Sequence, residues 1–111
     1  MKTSKELWLE ALRSDKYEQA SGSLENGTGF CCLGVACKVA EQHGVPVDSV
    51  GGFIVGEDLY SQLAVKAWLG VNTYSGAFNY TSLARLNDNC GLDFKEIADV
   101  IETNWEKLTD G

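Results

Sequence analysis

Apolar positions recur along this chain at helical spacing in several stretches, and polar or glycine-rich stretches separate them. Leu7, Trp8, Ala11 and Leu12 share one stripe, and Thr3 and Glu6 stand just before it at the spacing of a capping box, so a helix is predicted from about Ser4 to Ser14. The same rhythm is clearest at Phe94, Ile97, Ala98, Ile101, Trp105 and Leu108, predicted as one helix. Asp93 opens that helix with Glu96 three residues on in the same capping relation, and both suit the positive end of its dipole. A third stripe, Leu59, Leu63, Ala64, Ala67 and Trp68, predicts a helix capped by Glu57 or Asp58 and stopped by Gly70. Thr81 opens a short helix with Leu83, Ala84 and Leu86, which runs out in the turn cluster Asn87-Asp88-Asn89-Cys90-Gly91.

Residues 31–43 follow a different rule. Cys32, Leu33, Val35, Ala36, Cys37, Val39 and Ala40 are apolar almost all round, and a helix of that kind lies at the centre of a domain. Gly44 and Pro46 mark its end. Gly34 disfavours the helix by about 1 kcal/mol relative to alanine, which predicts a close backbone approach from the ribbon before it or from the C-terminal helix. Asn26-Gly27 predicts a type I′ hairpin within 17–30, a ribbon that leads into the cysteines. Phe53-Ile54-Val55 is a short strand candidate set off by Gly51-Gly52 and Gly56. Residues 71–80 have no helical period. Tyr74, Phe78 and Tyr80 in this loop either bind a partner or fold back to seal the core edge. The expected architecture is α+β and mostly helical: about five helices around the cysteine-containing one, with a small antiparallel β-ribbon, in a single domain over residues 1–111.

A length of 111 residues suits one core. The net charge of −7 argues against nucleic-acid binding, which needs clustered cations. Residues 56–111 hold nine acids against four bases, an acidic half that would favour a basic partner or simply aid solubility. No apolar run approaches the ~18 residues of a membrane span. The N-terminus turns amphipathic at once, without a leader, so the expected compartment is the cytoplasm. Adjacent Cys31 and Cys32 in an apolar helical run fit reduced, buried thiols better than a disulfide scaffold.

Several kinds of chemistry are tested by spacing. Cys31, Cys32, Cys37, Cys90 and His43 supply enough atoms for zinc, but adjacent cysteines do not form the spaced pairs a structural site uses. A thiol enzyme has firmer ground, because Cys31 or Cys32 in a first helical turn would feel the dipole that favours thiolate. The base is missing: His43 lies about 17 Å further along the same helix at 1.5 Å per residue. The glycines of 17–30 lack a following Gly-Lys-Ser/Thr and make no phosphate loop, and Asn87-Asp88-Asn89 lacks the spaced acids of an EF-hand. Glu96 and Asp99 share a helix face, as acids on a solvated face commonly do. No metal or cofactor is expected. The candidate ligand- or partner-binding residues are Tyr74, Phe78, Tyr80, Asn87 and Asp88, and Cys31 and Cys32 are the outside candidates for catalysis.

The series Trp8-Leu9-x-Ala11-Leu12-Arg13-Ser14, Tyr17-x-Gln19, Phe30-Cys31-Cys32-Leu33-Gly34-Val35-Ala36-Cys37, Leu86-Asn87-Asp88 and Phe94-x-Glu96-Ile97-Ala98-Asp99-x-Ile101 resembles a family of small uncharacterised proteins encoded by bacteriophages and prophages. The resemblance spans most of the chain, and Phe-Cys-Cys-Leu-Gly-Val is its most distinctive part. It implies a viral accessory protein acting inside a bacterium, and it brings no catalytic residues with it. The expected function is therefore non-enzymatic binding of a host protein or a small ligand, with host-defence factors among the partners envisaged. A thiol-dependent enzyme or redox switch at Cys31 or Cys32 is the alternative, and assembly as a homodimer is a third expectation.

Overall fold

The computed structural model describes residues 2–79 and 81–109. Helix α1 spans Ser4–Arg13, and its capping box forms as the spacing requires. The Thr3 hydroxyl accepts from the Glu6 amide at 3.1 Å, and the Glu6 carboxylate accepts from the Thr3 amide at 3.1 Å. Its stripe drives Trp8, Leu9 and Leu12 inward, and the Trp8 indole donates to the Cys32 carbonyl at 3.0 Å. The cap thus sets the helix start, and the indole ties the helix to the centre of the fold.

Helix α2, Cys32–Gln42, is that centre. Every residue from Cys31 to Cys37 is buried, and α1, α3 (Leu63–Leu69) and α4 (Leu83–Asp88) pack on it. Gly44, at φ +86°, ends it as predicted. The backbone that approaches Gly34 belongs to the preceding segment and not to the C-terminal helix: a Cβ there would stand 1.8 Å from the Leu24 carbonyl oxygen. That carbonyl accepts from the Cys31 amide at 3.2 Å, so the loop is fastened to the helix start at the point where the helix has no side chain.

Segment 17–30 differs from expectation. Only single bridges form, Gln19 with Phe30 and Glu25 with Phe30, and neither Asn26 nor Gly27 takes positive φ. Instead the Asn26 side-chain oxygen accepts from the Thr28 amide and hydroxyl and the Gly29 amide, at 2.8, 2.7 and 3.1 Å. The asparagine makes its turn with its side chain, which relieves the backbone of the primed conformation.

The antiparallel ribbons lie elsewhere. Strands β1 (Ser49–Val50) and β2 (Phe53–Ile54) pair across Gly51 and Gly52, at φ +60° and +88°, the two positive values a type I′ turn demands. Strands β3 (Ala77–Phe78) and β4 (Thr81–Ser82) form the second ribbon.

Two predicted helices are broken. The third begins as a 3₁₀ turn, Leu59–Ser61, capped by Asp58, and restarts as α3 after Gln62. The break re-aims the stripe, so that Val65 and Leu69 are buried while Leu63 faces out. The C-terminal period divides at Asn104 into α5 (Phe94–Thr103) and α6 (Trp105–Thr109). The Asn104 side chain donates to the Val100 carbonyl at 2.9 Å, competing with the helix's own ladder. The described residues therefore contain six α-helices, and the capping box of Asp93 with Glu96 is intact. Arg13 reaches Asp99 and Glu102 at 2.8 and 3.0 Å, joining α1 to α5 on the surface.

Candidate functional site

The cysteine run is sealed. Cys31 occupies the N-cap of α2, where its Sγ accepts from the Gly34 amide at 3.4 Å. Cys32 is wholly enclosed: its thiol donates to the Leu83 carbonyl at 3.5 Å, and its amide donates to the Asn87 side chain at 3.2 Å. The amides at the helix start favour thiolate, but removal from water opposes it more strongly. Burial pushes Cys31 up to about 11 and Cys37 up to about 12, and raises Cys32 well above the ordinary thiol value. Cys90 is the exposed thiol. His43, the lone histidine, caps the far end of α2 and stacks on Trp68 with ring centroids 6.4 Å apart.

Asn87 is nearly inaccessible, and its amide is fully committed within the chain. Its oxygen accepts from Gln19 Nε2 at 2.8 Å and from the Cys32 amide, and its nitrogen donates to the Ala20 carbonyl and to Asp88 at 2.8 and 2.9 Å. Four hydrogen bonds exhaust an amide side chain. The residue therefore fastens segment 19–20 to α2 and α4, while the Asp88 carboxylate beside it remains exposed. Of the aromatic loop, Tyr74 is exposed, Phe78 is half-buried against the core, and Tyr80 lies outside the described residues. The expected binding residues thus fall in two places, with Asn87 and Asp88 at the end of α4 and Tyr74 beside the 3₁₀ turn.

Tyr74 leads to a surface with more definite shape. Its ring meets Tyr60 edge to face at 5.2 Å, the Lys66 ammonium lies 5.6 Å from its centroid, and its carbonyl accepts from the Leu59 amide at 2.9 Å. Tyr60 and Leu63 flank an open cleft of about 550 Å³, whose opposite wall is the base of the β1–β2 ribbon at Asp48 and Val55. The ribbon continues this wall. Val55 donates to the Asp48 carbonyl, extending the register in which Ser49 faces Ile54 and Val50 faces Phe53. Side chains alternate along a strand, so Asp48, Val50, Phe53 and Val55 share one side of the ribbon, and Ile54 points the other way into the core. Val50 and Phe53 therefore stand on the same side of the ribbon as Asp48 and Val55, further toward its tip than the cleft.

Among the described residues, the large apolar or aromatic side chains that stand exposed are Val50, Phe53, Tyr60, Leu63 and Tyr74, at 73, 47, 69, 59 and 42 %. All five fall within residues 50–74: Tyr60 and Leu63 line the cleft, Tyr74 packs on Tyr60, and Val50 and Phe53 pair on the ribbon beyond Asp48 and Val55. Scattered singly they would need no explanation, but two of them, Tyr60 and Leu63, line the same cleft. Gln62 forms the floor and is itself buried. Its oxygen accepts from the Asp48 amide at 2.9 Å, and its nitrogen donates to the Asp48 and Val55 carbonyls at 2.8 and 3.0 Å. One amide thereby joins the two walls. The charge here is acidic: residues 45–75 contain Asp48, Glu57 and Asp58 against Lys66.

Tyr60, Leu63, Val50 and Phe53 escape a reading of pattern alone, because an apolar side chain in sequence looks the same whether its neighbour covers it or not. Gly51-Gly52 was the available signal. A two-glycine turn puts its flanking residues opposite one another on one face of a ribbon.

The sequence belongs to a family described as a domain of unknown function, DUF8296, whose profile matches residues 1–105. No curated protein and no solved structure shows a significant match.

Proposed function

We propose that this chain is an accessory protein of bacteriophage type that acts by binding, without catalysis, and that it engages a host protein in the bacterial cytoplasm through the cleft between the β1–β2 ribbon and α3. The observation that carries the reading is that exposed Tyr60 and Leu63 line one cleft, with exposed Tyr74 packed on Tyr60 and exposed Val50 and Phe53 on the ribbon whose base at Asp48 and Val55 lines the same cleft. The acidic balance of the chain adds support, since it suits recognition of a protein surface better than of nucleic acid. Thiol chemistry at Cys31 or Cys32 has weaker support, because burial holds both protonated away from any substrate.

The test is affinity capture from host lysate by the immobilised chain, run beside a Tyr60→Ser/Leu63→Ser variant that keeps the native melting temperature. A host protein retained by the native chain and lost from the variant is expected. Equal retention by both would move binding away from this cleft. A small molecule that fills the cleft and raises the melting temperature, with no protein retained, would replace the protein partner with a ligand.

A further inference from the structure

We infer that the cleft takes a basic segment of another protein, anchored by one or two apolar side chains, in preference to a second copy of this chain. This rests on the binding reading above and specifies the partner's chemistry. The apolar part follows from shape: Tyr60 and Leu63 on one wall and Val55 on the other leave room for a side chain to descend toward Gln62, and Phe53 and Val50 continue the contact along the ribbon.

The charge of the partner follows from the rim. Asp48 lines the cleft itself, while Glu57 and Asp58 lie outside its lining, immediately before the 3₁₀ turn that carries Tyr60. Among the described residues neither Asp48 nor Glu57 forms an ion pair, whereas Arg13, Lys38 and Lys95 are each committed to acids elsewhere on the surface. Lys66, the one cation in this stretch, lies over the Tyr74 ring. An incoming Lys or Arg would therefore meet carboxylates that have no internal partner, close to apolar anchoring sites. A second copy would bring the same acids against these and would add −7 to −7 across the interface.

The experiment selects a random displayed peptide library on the full folded chain, then measures the affinity of an enriched peptide by fluorescence polarisation. Enriched peptides are expected to carry Lys or Arg beside Leu, Ile, Phe or Trp. Affinity should fall at least ~10-fold in Tyr60→Ser/Leu63→Ser, which truncates the anchoring surface. It should fall roughly 2- to 10-fold in Asp48→Asn/Glu57→Gln, a variant that leaves the Asp58 cap intact. It should also weaken as salt rises from about 50 to about 500 mM, because the rim charges are exposed. Circular dichroism melts of both variants confirm that the fold is kept.

Enrichment of neutral or acidic peptides, or an affinity that Tyr60→Ser/Leu63→Ser leaves unchanged, would overturn the inference while leaving a binding function in place. A chain that enriches no peptide and retains no host protein would defeat both readings. A dimer in light scattering that Leu63→Ser dissolves would put a second copy in the cleft and refute the basic partner.

Discussion

Replacing Gly34 by alanine sets two effects of opposite sign against each other. Gly34 lies inside α2 with an ordinary helical backbone, so on propensity alone alanine should stabilise by about 1 kcal/mol. The new methyl, however, would sit 1.8 Å from the Leu24 carbonyl oxygen and 2.7 Å from its carbon. Both are backbone atoms, and no rotamer change can clear them. Relief requires segment 23–25 to retreat by more than about 1 Å, which stretches the hydrogen bond from the Cys31 amide and lifts fully buried Leu24 from the core. Overpacking of this kind costs roughly 1–3 kcal/mol, and a buried amide left without its partner costs about as much again. The net expectation is a loss of roughly 1–5 kcal/mol, a large share of a domain's usual ~5–15. Urea unfolding followed by circular dichroism reads it as a midpoint lower by about 1–3 M. Gly27→Ala is the control, because that glycine has open space around it and needs no positive φ. Its midpoint should be unchanged or slightly raised. A Gly34→Ala chain as stable as the native one would refute the close approach of Leu24.

The thiols make a second prediction. With iodoacetamide near neutral pH, Cys90 should label readily and Cys31, Cys32 and Cys37 only on unfolding; rapid labelling of Cys31 in the folded chain would revive the thiol reading. The same burial fixes a pH dependence. An unfolded thiol near 9.0 loses its proton before Cys31 at about 11 or Cys37 at about 12, so stability is intact below pH 9 and is lost as pH rises through 11 toward 12. Urea midpoints in reductant should fall above pH 9, and fall less in Cys37→Ala; a flat profile would count against sealed thiols. Asn87→Ala should cost about 2–5 kcal/mol, since it strands the Cys32 amide and the Ala20 carbonyl, and a thermal melt within 2–3 °C of the native chain would contradict that role. Arg13→Ala should cost less than about 1 kcal/mol, and the difference should vanish in high salt, because both of its partners are largely exposed.

What the sequence discloses of this fold depends on how local the cause is. The starts of α1 and α5 are legible because a capping box is complete within four residues, and the ends of α2 and α3 because Gly44 and Gly70 take left-handed φ, whatever packs nearby. Asn26-Gly27 misleads because two solutions to the same turn compete locally, and the side-chain solution wins where Thr28 and Gly29 present amides to Asn26. The break at Gln62 is invisible for a different reason. Its side chain reaches Asp48, fourteen positions away, and no local pattern encodes that contact. The candidate site suffers most. Asn87 reads as part of a turn cluster, yet it is buried and bonded to Gln19, Ala20 and Cys32, while Leu63 reads as part of an apolar stripe until the shifted helix leaves it uncovered.

The Gln62 amide has a consequence for kinetics. A cleft built from two mobile segments would have to be ordered by whatever enters it, and that loss of freedom would be charged against affinity. Here the ribbon and the start of α3 are held to each other by three hydrogen bonds from one side chain before any encounter. Association would then proceed as docking onto a rigid template, at a rate governed by diffusion and charge, with residence time set by how deeply the anchor seats. Loosening this one contact, as in Gln62→Ala, would convert the template into one that must be assembled at each encounter. The partner's arrival would slow, although every residue it touches is unchanged.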